Sequence, residues 1–362
     1  MTGEHDIVFV GLSLSSSWGN GHATTYRALL RGLAGFGRRV LFLERDVPWY
    51  AAHRDLADPD FCALAFYESV PDLLARFGPT LAGAPAVIVG SYVPDGVAVI
   101  DALQAMRPGR ISFYDIDTPV TLAKLERGEE DYLARRQVPG FDLYLSFTGG
   151  PVLDRLERDF GARRAAPLYC AVDTALYKPV DGARQWDLGY LGTYSPDRQP
   201  ALETLLLEPA RRRPDLRFVV AGPQYPETIA WPENVERIAH LPPDRHAAFY
   251  GAQRFTLNIT RKDMVAAGFS PSVRLFEAAA CGTPMVSDWW TGLDSFFTPG
   301  EAIQVARRPD DVLAALDMPA PAARLQADAA RARVLRNHSG GARAEELLSL
   351  LDPGVEGHQA AQ

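Results

Sequence analysis

Short apolar runs alternate along the chain with stretches in which apolar residues recur every three or four positions. In the first half the runs are Ile7–Val10, Val40–Leu43, Ala86–Val89, Ile111–Tyr114 and Leu143–Ser146. They are apolar at nearly every position rather than at alternate ones, which predicts parallel strands covered by helices on both faces. Helical periodicity fills the gaps at His22–Phe36, Asp95–Met106, Leu122–Arg135 and Pro151–Phe160. In the first of these, Tyr26, Leu29, Leu30 and Leu33 share one face. Strand–helix alternation of this kind predicts a doubly wound α/β sheet.

The pattern then restarts. Asp187–Leu191, Phe218–Val220, Val235–His240, Phe255–Ile259, Met285–Ser287 and Ile303–Val305 read as strands. Gln199–Arg212, Asp244–Gly251, Ser272–Cys281 and Asp310–Leu316 read as the helices between them. Two Rossmann-like halves follow, without a short sequence repeat. Breakers in Val172–Trp186 mark the linker. The expected domains are 1–178 and 179–351, with helices over Pro319–Leu351 broken at Ser339–Gly341 and a flexible polar tail at 352–362.

Composition narrows the function. The 362 residues suit two domains, and a net charge of −8 argues against a nucleic-acid binder. The run Arg211–Arg213 at a helix end is expected to be a solvated cluster that complements the helix dipole. Cys62, Cys170 and Cys281 lack disulfide or zinc spacing and fit reduced thiols in a cytoplasmic protein. No apolar run reaches the ~20 residues of a spanning helix; a peripheral membrane contact stays open, as does the oligomeric state.

The most informative stretch is GFSPSVRLFEAAACGTPMVSDWW, Gly268–Trp290. Ser270-Pro271-Ser272 reads as a helix entry, Gly282 as its stop and Met285–Ser287 as the next strand. A helix start after a strand is an anion site suited to a diphosphate. Arg274 adds a guanidinium fork, and Glu277, three residues on, can accept ribose hydroxyls. An internal Arg274–Glu277 pair on an ordinary capped helix is the plainer alternative.

RLFEAAACGTPMVSD resembles the signature of GT-B glycosyltransferases, in particular the CgeB-like (spore maturation protein-like) group; YDIDTP and FDLYLSFTGG extend the likeness. The resemblance implies a GT-B fold: two facing Rossmann-like domains with an interdomain cleft. It places Glu277 on the ribose of a nucleotide sugar, a UDP-sugar first, and Ser270–Ser272 on its diphosphate. It also implies helix dipole and basic residues in place of a metal, so neither metal nor cofactor is expected. Retaining members of the wider superfamily carry an acid eight positions before the ribose Glu. Phe269 stands there, which leaves stereochemistry open.

Further candidates lie at strand ends, where ligands bind in such sheets. In the first loop, Gly19, Asn20 and Gly21 are expected on the sugar or acceptor side. His22 is a candidate for proton transfer, or else a helix-start residue bonded to backbone. Asp115 can act as a general base or share a capping role with Asp117 and Thr118. In the second half, Arg198 can stabilise the leaving diphosphate, Gly222 faces the same side, and His240 can meet the base. Asn258 and Arg261 are weaker candidates; Trp289 and Trp290 default to core. The expected activity is sugar transfer to an unidentified acceptor. The alternatives are a nucleotide-sugar epimerase and a non-catalytic nucleotide-sugar-binding protein.

Overall fold

The computed structural model describes residues 4–18 and 21–352. The chain forms two compact units. The first holds the residues up to Ala171 and those from Ser339 onward; the second is Val172–His338. The division thus falls before the expected 178/179 boundary. The final helix, Gly340–Leu351, also joins the first unit instead of closing the second.

The first unit is built on a seven-stranded sheet: β1 Ile7–Gly11, β2 Val40–Arg45, β3 Ala63–Tyr67, β4 Ala86–Gly90, β5 Ile111–Asp115, β6 Leu143–Ser146 and β7 Ala165–Pro167. All neighbours are parallel, in the order β3-β2-β1-β4-β5-β6-β7. Every residue of β1, β4 and β5 is buried, as continuous apolar runs demand. Neither β3 nor β7 was expected. ALAFY of β3 is a partly exposed edge and AAP of β7 has three residues, so neither carries a strong apolar signal. The expected helix Leu122–Arg135 is instead Thr118–Glu126, started by Pro119 and followed by Gly128 at φ 75°.

Helix Gly340–Leu351 packs along helix Gly21–Gly35. Two glycines allow the approach: a Cβ on Gly32 would overlap the Gly340 carbonyl, and one on Gly340 the Ala28 carbonyl.

The second unit repeats the plan with six parallel strands: β8 Trp186–Leu191, β9 Phe218–Ala221, β10 Val235–Ile238, β11 Gln253–Asn258, β12 Met285–Ser287 and β13 Gln304–Val305. Their order is β10-β9-β8-β11-β12-β13. Leu188, Phe218, Val220, Phe255 and Leu257 form its core with Leu202 and Leu205–Leu207 of the flanking helix. That helix, 199–212, makes a π turn over Glu203–Leu207. Arg211, Arg212 and Arg213 at its end pair with Glu203, Asp310, Asp215 and Asp317, the surface cluster expected of them. In both sheets the strand order reverses beside the first strand, at β1/β4 and β8/β11, which makes the carboxyl ends there the natural ligand positions. No helix among the described residues is long and apolar enough to cross a membrane.

Candidate functional site

In the second unit, helix Val273–Ala280 starts at the carboxyl end of β11, beside β8. Its first turn has no acidic residue, and Ser272 is the N-cap in extended conformation. The Ser272 hydroxyl does not cap the helix: it donates to Asn258 Oδ1 at 2.8 Å. Ser270 is fully buried. The Ser272 side chain thus braces the end of β11 instead of capping the helix.

Arg274 is 8% exposed. Its Nη1 donates to Asn258 Oδ1 at 2.8 Å and its Nε to the Leu191 carbonyl, while the guanidinium lies 4.8 Å from the Tyr190 ring centre. It forms no pair with Glu277 or any other carboxylate among the described residues. Nη2 sits beside Gly192, where a Cβ would come within 2.9 Å of it and 2.7 Å of Tyr190 Oη. Asn258 is the hub: its amide nitrogen donates to Ser287 Oγ at 2.9 Å and Thr260 Oγ1 at 3.2 Å, so two strand ends fix the oxygen that Arg274 uses.

Arg198 approaches the same strand end. Its Nη2 donates to the Thr193 carbonyl at 2.7 Å, and it too lacks an ion pair among the described residues. Burial, together with nearby Arg274 and Arg261, lowers its pKa. Tyr190, Arg198, Gln199 and Tyr225, among others, line a crevice here too tight to admit a water molecule. Tyr190 Oη, Arg198 Nε and Gln199 Oε1 are buried there without a hydrogen-bond partner. Gly222 holds φ at 142°, and a Cβ there would overlap the Gly192 carbonyl. Its role is to let the loops after β8 and β9 touch.

Glu277 is 4% exposed and accepts from Tyr250 Oη at 3.1 Å. Burial and this carboxylate push the Tyr250 and Tyr177 hydroxyls well above their ordinary pKa. His240 lies exposed beyond β10, the sheet edge two strands from β8. Phe269 adopts φ 46°, and a Cβ on Gly292 would come within 2.5 Å of its ring. Trp290 is core at 1% exposure; Trp289 is 37% exposed.

In the first unit, Gly19 and Asn20 lie outside the described residues. Gly21 is exposed at the start of its helix. His22 is half-buried, its ring 5.4 Å from that of Tyr92. Burial lowers its pKa to about 4, so the imidazole is uncharged at neutral pH. Tyr92 Oη in turn donates to Asp117 Oδ2 at 2.9 Å. Asp117 stands at the N-cap but does not cap with its side chain.

Asp115 is fully buried at the end of β5. Its carboxylate accepts from Tyr144 Oη at 2.6 Å, Thr121 Oγ1 at 2.7 Å and the Asp117 N–H at 3.2 Å. Burial raises its pKa to about 6 against these bonds. In this arrangement it ties β5, β6 and the next helix together and meets no solvent.

Sequence reading missed Tyr190 and Tyr225, which carried no motif, and Glu44. The fully buried Glu44 carboxylate accepts from the Leu14 and Ser15 N–H groups at 2.7 and 2.9 Å and from the Ser13 and Ser15 hydroxyls at 3.1 and 2.7 Å. It pins the loop after β1. Among the described residues no group of three or more His, Cys, Asp or Glu is placed to hold a metal.

Residues 198–349 match a family described as glycosyl transferase-like. No curated protein sequence matches the chain. Solved structures match it along nearly all its length. A sucrose-phosphate synthase from Thermosynechococcus elongatus is 15% identical, with TM-score 0.70 over 96% of this chain and 98% of its own. HepE of Anabaena, solved with UDP and glucose, is 12% identical, with TM-score 0.69 over 97% and 100%. AviGT4, a glycosyltransferase of avilamycin A biosynthesis, is 16% identical, with TM-score 0.62 over 96% and 97%. The chain has the α/β fold of the GT-B glycosyltransferases, and its residues 198–349, less than half of its length, are similar to the glycosyl transferase-like family.

Proposed function

We propose that the chain transfers a sugar from a nucleotide-diphosphate sugar, a UDP-sugar first, to an acceptor hydroxyl, without a metal. The observation that carries this reading is the pair Arg198 and Arg274. Both guanidiniums sit at the β8/β11 strand ends beside a helix start; among the described residues neither makes an ion-pair contact, with Asp197 near Arg198 and Asp288 near Arg274 acting on them only at longer range. Fixed positive charge at that point favours a diphosphate and the negative charge it gains as a leaving group. HepE, which shares the fold, was solved with UDP and with UDP-glucose.

In the reaction the acceptor oxygen bonds to the anomeric carbon. The bond from that carbon to the diphosphate oxygen breaks and its electron pair leaves with the nucleotide. The acceptor proton needs a base. Of the two groups put forward from sequence, His22 is partly open to solvent and uncharged at neutral pH, whereas Asp115 is enclosed. His22 is therefore assigned proton transfer and Asp115 the positioning of the β5 end. The helix start at Ser272 takes the diphosphate through its backbone N–H groups, Glu277 the ribose, and Gly19, Asn20 and Gly21 the acceptor side. The CgeB-like group remains the finer assignment.

The test is release of UDP from UDP-sugars, with and without acceptors and with EDTA present. Acceptor-dependent release that survives chelation supports the reading. Conversion of the donor into its epimer, or UDP binding with no turnover on any donor, overturns it.

A further inference from the structure

Among the described residues, the large apolar side chains that stand most open to solvent include Trp49 at 60% and Trp18 at 37% exposure. These two are brought together by a third ring. The His53 imidazole stacks on Trp18, 4.6 Å between centres and 17° from parallel, and lies 5.6 Å from Trp49 at 45°. Flat rings turned outward are costly to leave in water, and here the backbone holds them in place. His53 Nδ1 is 2.9 Å from the Trp49 carbonyl, and Ser16 Oγ donates to the His53 carbonyl at 2.8 Å. The Asp55 and Leu56 N–H groups both donate to the Ser15 carbonyl at 3.0 Å. Arg27 forks onto Asp55 at 2.6 and 3.0 Å, and Ser17 donates to the same carboxylate at 2.6 Å. Two segments, one following β1 and one following β2, are thus laced into a single rigid shelf. It lies at the carboxyl ends of the sheet's strands, the edge on which ligands bind.

The surroundings select the ligand. Around the shelf the exposed carboxylates are paired: Asp46 with Arg54, Asp55 with Arg27 and Asp60 with Arg31, while Arg45 pairs with Asp95 and Glu44 is buried. Such a balanced surface offers a phosphate-bearing partner, whether nucleic acid or an anionic membrane, no excess of positive charge. A neutral pyranose fits it. The C–H face of a sugar ring is apolar and slightly positive, and it complements the electron-rich face of an indole. The hydroxyls around its rim suit the bordering carboxylates and guanidiniums as acceptors and donors. A shelf already rigid before binding loses little entropy when a sugar settles on it.

We propose that Trp49, His53 and Trp18 form a stacking subsite for a neutral carbohydrate, so that the acceptor of the transfer is itself a glycoside. The second half of this statement rests on the transferase reading; the sugar site does not. The test is saturation-transfer NMR on the full chain, with methyl α- and β-pyranosides of glucose, galactose and mannose and the corresponding disaccharides as probes. Saturation should reach the ring C–H protons of at least one probe. Trp49→Ala should weaken that binding on the order of tenfold, Trp49→Phe should restore most of it, and Trp289→Ala should leave it unchanged. UDP binding should be equal in wild type and Trp49→Ala. No saturation of any probe, saturation unaffected by Trp49→Ala, or Trp49-dependent binding to phosphatidylcholine–phosphatidylserine vesicles in place of sugars would overturn the site. Sugar binding in a protein that does not bind UDP would leave the site standing and remove only its role as acceptor site.

Discussion

Arg274 offers the sharpest test of the diphosphate site, because its guanidinium is divided between fold and ligand. Nε and Nη1 are spent on the Leu191 carbonyl and Asn258 Oδ1, the latter at 2.8 Å. Nη2 makes no hydrogen bond among the described residues and lies beside Gly192, which has no side chain to block it. One charge-assisted bond from Nη2 to a phosphate oxygen is worth about 1.5–3 kcal/mol, or roughly 10- to 150-fold in affinity. Arg274→Lys keeps the charge but cannot reach both protein acceptors and the ligand together. It should therefore weaken UDP by about that factor while leaving uridine, measured by competition, nearly unchanged. The lost bonds to Leu191 and Asn258 should also lower the thermal midpoint, which is a separate readout from the ligand ratio. Calorimetric titration with UDP at two salt concentrations completes the test. Binding to the wild type should fall more steeply with salt than binding to Arg274→Met. Equal loss of UDP and uridine would mean that Arg274 only supports the fold. Unchanged UDP affinity would refute the diphosphate assignment itself.

Burial raises the Asp115 pKa to about 6, above its unfolded value. Its protonated form therefore favours the fold: the contribution is complete below about pH 4 and is lost as pH rises through 6, about 3 kcal/mol in all. Asp115→Asn should flatten the pH dependence of urea stability between pH 4 and 7; parallel curves for the two proteins would contradict this account. Gly340→Ala forces a methyl against the Ala28 carbonyl. It should destabilise the first unit by about 1–3 kcal/mol without altering UDP affinity, and an unchanged denaturation midpoint would show that the helices slide apart freely.

The fold was largely legible because strands buried on both faces leave an unmistakable apolar run. The runs at Ile7, Ala86 and Ile111 are β1, β4 and β5 to within a residue or two. What escaped were the short or half-exposed edges β3 and β7, where burial imposes little on composition. At the candidate site, Arg198 and Arg274 were legible from their places after a strand and inside a capped helix. Their partners were not. Asn258 receives both Ser272 and Arg274 across 14 and 16 residues of chain, and Glu44 holds a loop about 30 residues away. Such pairings depend on strand order, which no local pattern states. The same reason hid the exposed rings: Trp18 and His53 are neighbours only because β1 and β2 are.

The return of Gly340–Leu351 to the first unit has a consequence for how the protein is made. As the chain leaves the ribosome, everything up to Ala171 emerges without the helix that covers helix Gly21–Gly35. The unit that emerges before Val172 must wait until Gly340–Leu351 appears, whereas Val172–His338 is continuous and can close on its own beforehand. In biosynthetic order, the second unit is a guest threaded into an unfinished host. Truncation near residue 338 should therefore strike the amino-terminal unit, whose helix Gly21–Gly35 lies more than 300 residues upstream, and spare the unit immediately beside the cut.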